Sequence, residues 1–183
     1  MTIGEARALM HEWIANPGLR VHAECVAACM AAYAEKLQPD QKDRWELAGL
    51  LHDLDWERHP NHEEHPFVGV KLLREKGVDE EILTAILGHA DYSNTPRESA
   101  MAKTLYAVDE LAGFIVACAK VRPNGIADLE PKSVKKKLKN ITFAAAVSRD
   151  DIARGIAEVG VDETQHMQTC IDAIRAHKDR LGV

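Results

Sequence analysis

Leu50-Leu51-His52-Asp53-Leu54-Asp55-Trp56-Glu57 sets a histidine and an aspartate side by side at the end of an apolar helical run. Ionisable side chains carried towards a core need partners, because burying an unpaired charge is costly. Candidate partners recur on both sides: His22 upstream, and His65, His89 and Asp109 downstream. Imidazole nitrogens and carboxylate oxygens are good ligands for first-row divalent metals. A shared cation would explain why such groups converge.

The rest of the chain bounds this reading. Its 183 residues are enough for one well-buried core, so a single domain is expected. Hydrophobic residues make up 46% and charged residues 28%, an ordinary balance for a globular protein. Aromatics are only 5%, which leaves the core to Ala, Leu, Ile and Val and favours helix. The net charge of -6 argues against non-specific nucleic-acid binding. A nucleotide substrate stays open, because bound metals reverse the local field. Cys25, Cys29, Cys118 and Cys170 form no CxxC pair. Cys25 and Cys29 share a helix face, where burial as small hydrophobes competes with zinc ligation. A reduced, cytoplasmic chain with neither signal segment nor membrane span is expected.

Hydrophobic periodicity and capping signals lay out helices and no strands. Thr2 and Glu5 open a first helix over about 3–15, which Asn16-Pro17-Gly18 ends. A second runs from about Arg20 to Leu37 with His22 near its apolar side. A third carries Trp45, Ala48, Leu51 and Leu54 inward and delivers His52 and Asp53. Residues 57–65 read as a polar loop in which His59 and His62 are surface residues or substrate contacts. Pro66 suits the first turn of a helix closed by Gly77, and Asp79 caps another that ends near His89. Thr95-Pro96-Arg97-Glu98 has the pattern of a capped helix start, for a helix reaching Cys118 with a bend near Gly113. Arg97 then either reaches a phosphate or sits in an exposed first turn. Helices over about 149–159 and 163–180 complete the tail, and the lysines of 132–139 read as a solvated face.

Taken singly, a core histidine is more often hydrogen-bonded than ligating, and that plainer reading applies to His22 and His89. The adjacent His-Asp pair, with further His and Asp dispersed over several helices, gives the metal site its weight.

Val21-His22-Ala23-Glu24, Leu51-His52-Asp53-Leu54 and Val108-Asp109-Glu110 resemble the defining pattern of the HD-domain superfamily of metal-dependent phosphohydrolases: a histidine, a His-Asp doublet and a distant aspartate. His65-Pro66-Phe67-Val68-Gly69 and Ile86-Leu87-Gly88-His89-Ala90 resemble the two further elements of members that hold two metals. The resemblance covers residues 18 to 120 and is closest to uncharacterised predicted hydrolases of that superfamily. Trp56 stands where many relatives carry a lysine.

The resemblance implies an all-α fold with an HD-type helical core over 1–122 and a helical C-terminal extension over 123–183 packed on the same domain. It implies metal ligation by His22, His52, Asp53 and Asp109, with Asp53 bridging to a second ion that His65 and His89 complete. Two ions are expected. Four histidines favour Fe, Mn, Zn or Ni over Mg, which prefers oxygen. Asp55, Glu57 and Asp91 join Asp53 as candidate catalytic acids, orienting ligands or moving protons, although each also suits a loop or cap. The implied activity is hydrolysis of a phosphomonoester or phosphodiester in a nucleotide or related small metabolite by metal-activated water. A dinuclear iron oxygenase of the same fold and a non-catalytic, metal-stabilised binding protein are the rivals.

Overall fold

A computed structural model describes all residues, 1–183, with ten α-helices, two short 3-10 helices and no strand. Helix α1 (Ile3–Trp13) begins with a capping box. The Thr2 hydroxyl accepts from Glu5 N–H at 3.2 Å and the Glu5 carboxylate accepts from Thr2 N–H at 2.7 Å. Helix α2 (Pro17–Leu37) starts earlier than the sequence implies. The Asn16-Pro17 pair is less the end of α1 than the cap and first residue of α2, with Asn16 Oδ1 accepting from Gly18 and Leu19 N–H. Proline at a first helical position loses no bond, since that N–H lacks an intrahelical acceptor anyway.

Helix α3 (Lys42–Leu51) stops immediately before the doublet: His52 is its C-cap, and Asp53 lies in the turns that follow. Helices α4 (Phe67–Glu75) and α5 (Glu80–Gly88) form a short pair, with Asp79 capping α5 and His89 ending it. Helix α6 (Ala100–Lys120) is the central element, and Gly113 lies within it without interrupting it. The expected start at Thr95-Pro96-Arg97-Glu98 is corrected: Ser99 caps α6, and 95–98 are not helical. Arg97 is the cause. Its guanidinium makes two bonds to Glu158 at 2.7 Å each, one to Asp91 at 2.8 Å and one to the Gly88 carbonyl at 2.9 Å. Those bonds outweigh a local cap. Neither sequence reading of Arg97, phosphate contact or exposed first turn, describes it.

The tail adds α7 (Pro131–Leu138), α8 (Arg149–Val159), α9 (Glu163–Arg175) and α10 (Lys178–Leu181). The expected last helix to about residue 180 is two helices, broken between Arg175 and Lys178. Along α7, Val134 turns inward while Lys132, Lys136 and Lys139 stay exposed. Lys135 pairs with Glu163 at 2.7 Å. The cysteines are all free and buried, none of them in a metal-type cluster. No helix is long and apolar enough to cross a membrane.

One contiguous apolar core runs from Ala6 on α1 to Leu181 on α10. It depends on two close helix approaches. A Cβ at Gly49 on α3 would lie 2.8 Å from the Ala27 backbone on α2, and one at Gly155 on α8 would lie 2.6 Å from Ala107 Cα on α6. Only glycine lets these helices meet at such distances. Gly155→Ala must push α8 off α6, and overpacking of this kind costs about 1–3 kcal/mol. The denaturant midpoint should fall accordingly, while an alanine at exposed, helical Gly4, which meets no neighbour, does not lower it.

His166 on α9 is fully buried between α2 and α6. Its Nδ1 pairs with the Tyr33 hydroxyl, and its Nε2 with the Ala107 carbonyl at 3.1 Å. A carbonyl only accepts, so Nε2 carries the proton and Nδ1 accepts from the phenol. Burial pushes the imidazole below its ordinary value of 6.5, with the Ala107 bond pulling the other way. The unfolded chain therefore takes up this proton more readily than the folded one. Below about 6.5 that difference favours unfolding, and above it the contribution to stability is complete. Denaturant titrations of metal-free protein between about pH 7.5 and 5.5 should show a loss of stability on acidification that is smaller in His166→Gln. Equal pH slopes for the two proteins would refute the assignment.

Candidate metal centre

The loops after α3 and α5 and the middle of α6 bring the ligand-type residues together. His22 comes from α2, His52 from the end of α3, and Asp109 from α6. His22 Nε2 stands 3.2 Å from His52 Nε2 and 3.0 Å from Asp109 Oδ1. His52 Nε2 is 3.3 Å from Asp109 Oδ1 and 3.4 Å from Asp53 Oδ2. On the other side of Asp53, Oδ1 lies 3.5 Å from His65 Nε2 and 3.4 Å from His89 Nε2, which are 3.2 Å from each other. One carboxylate thus offers Oδ2 to one cluster and Oδ1 to the other.

Whether these groups suit cations is decided by where their protons sit. His52 Nδ1 is 2.7 Å from the Gly49 carbonyl, and His89 Nδ1 points at the Ile86 carbonyl. His65 Nδ1 is 2.7 Å from Asp55 Oδ1. Carbonyls and carboxylates accept, so each Nδ1 carries a proton, and it is Nε2 that each ring turns into its cluster and whose lone pair a metal would use. Lone pairs facing one another at 3.2 Å repel unless something positive lies between them. Metal–ligand bonds of about 2.0–2.2 Å put neighbouring ligand atoms about 3.0–3.5 Å apart, which is the spacing found here. The residues fit divalent ions at both clusters.

Electrostatics agrees. Burial disfavours a charged His52, but Asp53 and Asp109 outweigh it and hold the imidazole well above its ordinary value. Burial likewise opposes ionisation of Asp53 and Asp109, and the neighbouring histidines overcome it, keeping both carboxylates well below the ordinary range. In the absence of metal the first cluster holds its negative charge together with a proton, which a divalent ion would displace.

Asp55 is buried and makes the contact that orients His65; its Oδ2 also accepts from Gly69 N–H at 2.6 Å. Asp91 lines the cleft and is paired with Arg97 and, at 2.7 Å, with Arg154. Glu57 faces elsewhere: its Oε2 accepts from the N–H groups of Ala15 and Asn16, both at 2.9 Å, and ties the α1–α2 turn. It does not line the cleft.

Both clusters open into a cleft of about 560 Å³, within the range of small-molecule sites. His62 stacks on Tyr92 at 4.1 Å, and Trp56 meets the edge of His65 at 4.9 Å. The Tyr92 phenol is pushed up to about 12 by burial and by Asp53 and Asp55, so it stays protonated. His59 instead pairs with Glu64 at 3.1 Å. Several wall residues escaped sequence reasoning: Tyr106, Glu110, Val147, Asp151 and Arg154. Asp109 and Glu110 stand three and four residues after Tyr106 on α6, so helical spacing could have found this pair of wall residues. Nothing local marks Asp151 or Arg154, which arrive with α8.

An all-α chain with paired His/Asp clusters sharing one aspartate, open to a cleft, has the make-up of a metal-dependent hydrolase. The chain belongs to the HD domain family: the family's model matches residues 20–113, just over half of the 183 residues. The matched segment holds every residue of both clusters, and membership carries divalent-metal binding with it. No curated protein matches the chain, and no solved structure does.

Proposed function

We propose that the protein is a phosphohydrolase with two divalent ions, cleaving a phosphomonoester or phosphodiester in a small metabolite, with nucleotides among the candidates. One observation carries the reading: the two Asp53 oxygens face separate sets of Nε2 lone pairs, and both sets open to one cleft. His22, His52, Asp53 and Asp109 would hold one ion, and Asp53, His65 and His89 the other. The chemistry such ions supply is Lewis acidity, which acidifies water near neutral pH and offsets the charge that grows on phosphoryl oxygens.

The chain's own groups do the rest. The Gly49 and Ile86 carbonyls fix the tautomers of His52 and His89, and Asp55 fixes that of His65. Trp56, Tyr92 and His62 wall the His65 side of the cleft against bulk water. Arg154 is shared between Asp91 and Asp151, so the rim offers no free positive charge and leaves phosphate binding to the centre. The openness of the cleft favours turnover over a sealed, purely structural metal site.

Elemental analysis of protein purified without added metal gives the stoichiometry, and a screen of phosphorylated metabolites with that metal restored gives the activity. We expect about two ions per chain, in keeping with a two-metal hydrolytic site. His65→Ala and His89→Ala should each remove one of the two and leave the other in place. Metal content unchanged in the double variant would refute the second site. Oxygen consumption with a mixed-valent iron spectrum, without phosphate release, would make the protein an oxygenase instead.

A further inference from the structure

Five carboxylates line the cleft, and four of them are engaged: Asp53 and Asp109 in the clusters, Asp91 and Asp151 with Arg154. Glu110 is different. It lies beside Asp109 on α6, partly buried, and no cation pairs with it. Its Oε2 accepts from Ser148 N–H at 3.1 Å, and Ser148 is the N-cap of α8. The contact holds the carboxylate in place and leaves Oε1 without a partner in the chain. Gly113, one turn along the same helix, and Val147 line the cleft next to it, and a Cβ on Gly113 would find only His22 Nδ1, at 3.8 Å. The result is a small bay beside the first cluster with one fixed, unpaired acceptor on its wall.

We propose that Glu110, with Gly113 and Val147, forms a leaving-group subsite that selects phosphoesters carrying a hydroxyl or ammonium on the leaving group and rejects those carrying a second anion. The assignment rests on the phosphohydrolase reading for what occupies the clusters. Burial and the neighbouring Asp109 push the Glu110 carboxyl up to about 7 in the metal-free chain, and cations in the first cluster would draw it down again. Ionised, it only accepts hydrogen bonds, so it favours donors and repels anions. A site discriminates most strongly when a mismatched group leaves its polar atoms unpaired or sets like charges together. The neighbouring rim does not reverse this preference, since Arg154 is already shared between two carboxylates.

The test uses three esters of similar size and one phosphoryl group: phosphoethanolamine, glycerol phosphate and 3-phosphoglycerate, with leaving groups that are cationic, neutral and anionic. With metal-loaded, full-length protein at about pH 8.5, where Glu110 is ionised with or without metal, kcat/KM should fall in that order, by at least about tenfold from first to last. The gap should shrink as ionic strength rises, as screening demands. Glu110→Gln keeps the size and the Ser148 contact but not the charge, and should bring the three esters within about threefold of one another. Glu110→Asp should keep the order. The same compounds are also titrated calorimetrically. Ordered affinities that Glu110→Gln levels would support the subsite even if none of the three is hydrolysed, the case in which the hydrolase reading fails alone. Equal affinities and rates in the wild type, or an order unchanged in Glu110→Gln, would overturn it.

Discussion

Asp53→Ala is expected to empty both clusters at once. Each Asp53 oxygen serves a different set of imidazoles, Oδ2 at 3.4 Å from His52 and Oδ1 at 3.4 and 3.5 Å from His89 and His65. Removing the carboxylate takes the shared negative charge from two sites that otherwise present mainly neutral nitrogens. The His65–His89 cluster loses its only carboxylate ligand, and the His22–His52 cluster keeps Asp109 alone. Metal content should fall from about two ions to well under one. Phosphate release should drop below about one-thousandth of wild type, given that losing one electrostatic stabiliser already costs 10²–10³. The contrast with His65→Ala gives the test its power, because that variant should lose one ion and keep the other. If Asp53→Ala retained one tightly held ion, Asp53 would not be the bridge. Folding is not expected to fail, since the residue is part-exposed and lies in the turns after α3, outside the apolar core.

The ligand residues were legible in the sequence because each belongs to a local pattern. His22 and Asp109 sit beside apolar helix faces, and the His52-Asp53 doublet ends an apolar run. A polar group at a core-facing position stands out wherever the helical period is clear. Residues 95–98 show where such reasoning fails. Thr95-Pro96-Arg97-Glu98 has a good local helix-start signature, but Arg97 is held by Glu158, sixty-one positions away, together with Asp91 and the Gly88 carbonyl. Several charge-assisted bonds outweigh one cap. Arg154 and Asp151 were invisible for a related reason. They reach the cleft because Gly155 lets α8 lie against Ala107 on α6, two residues before Asp109. That meeting of distant segments has no sequence period.

The same contact gives the C-terminal extension a part in the site. The family match ends at residue 113, yet Val147, Asp151 and Arg154 line the cleft. The residues of both clusters thus lie in the matched segment, while part of the cleft wall is supplied by the stretch that follows it. A chain with the same ligands and a different tail would present a different wall.

Asp55→Asn should weaken the second ion by about 10–100-fold, the range seen when a partner behind a metal-bound histidine is lost. The carboxylate has two tasks, accepting from His65 Nδ1 at 2.7 Å and from Gly69 N–H at 2.6 Å. An asparagine can do only one of them with its oxygen. With that oxygen on Gly69, where a buried N–H must be satisfied, its NH2 group faces His65. The imidazole must then accept at Nδ1 and carry its proton on Nε2, the atom aimed at His89 and Asp53. A protonated Nε2 has no lone pair for a metal. The first cluster does not touch Asp55, so one ion should stay bound at wild-type affinity while the second titrates at higher concentration. Excess metal should restore much of the activity, which a collapse of the fold would not permit. Two ions bound at unchanged affinity in Asp55→Asn would mean that His65 keeps its tautomer without this contact, and Asp55 would then be only a support for the Gly69 turn.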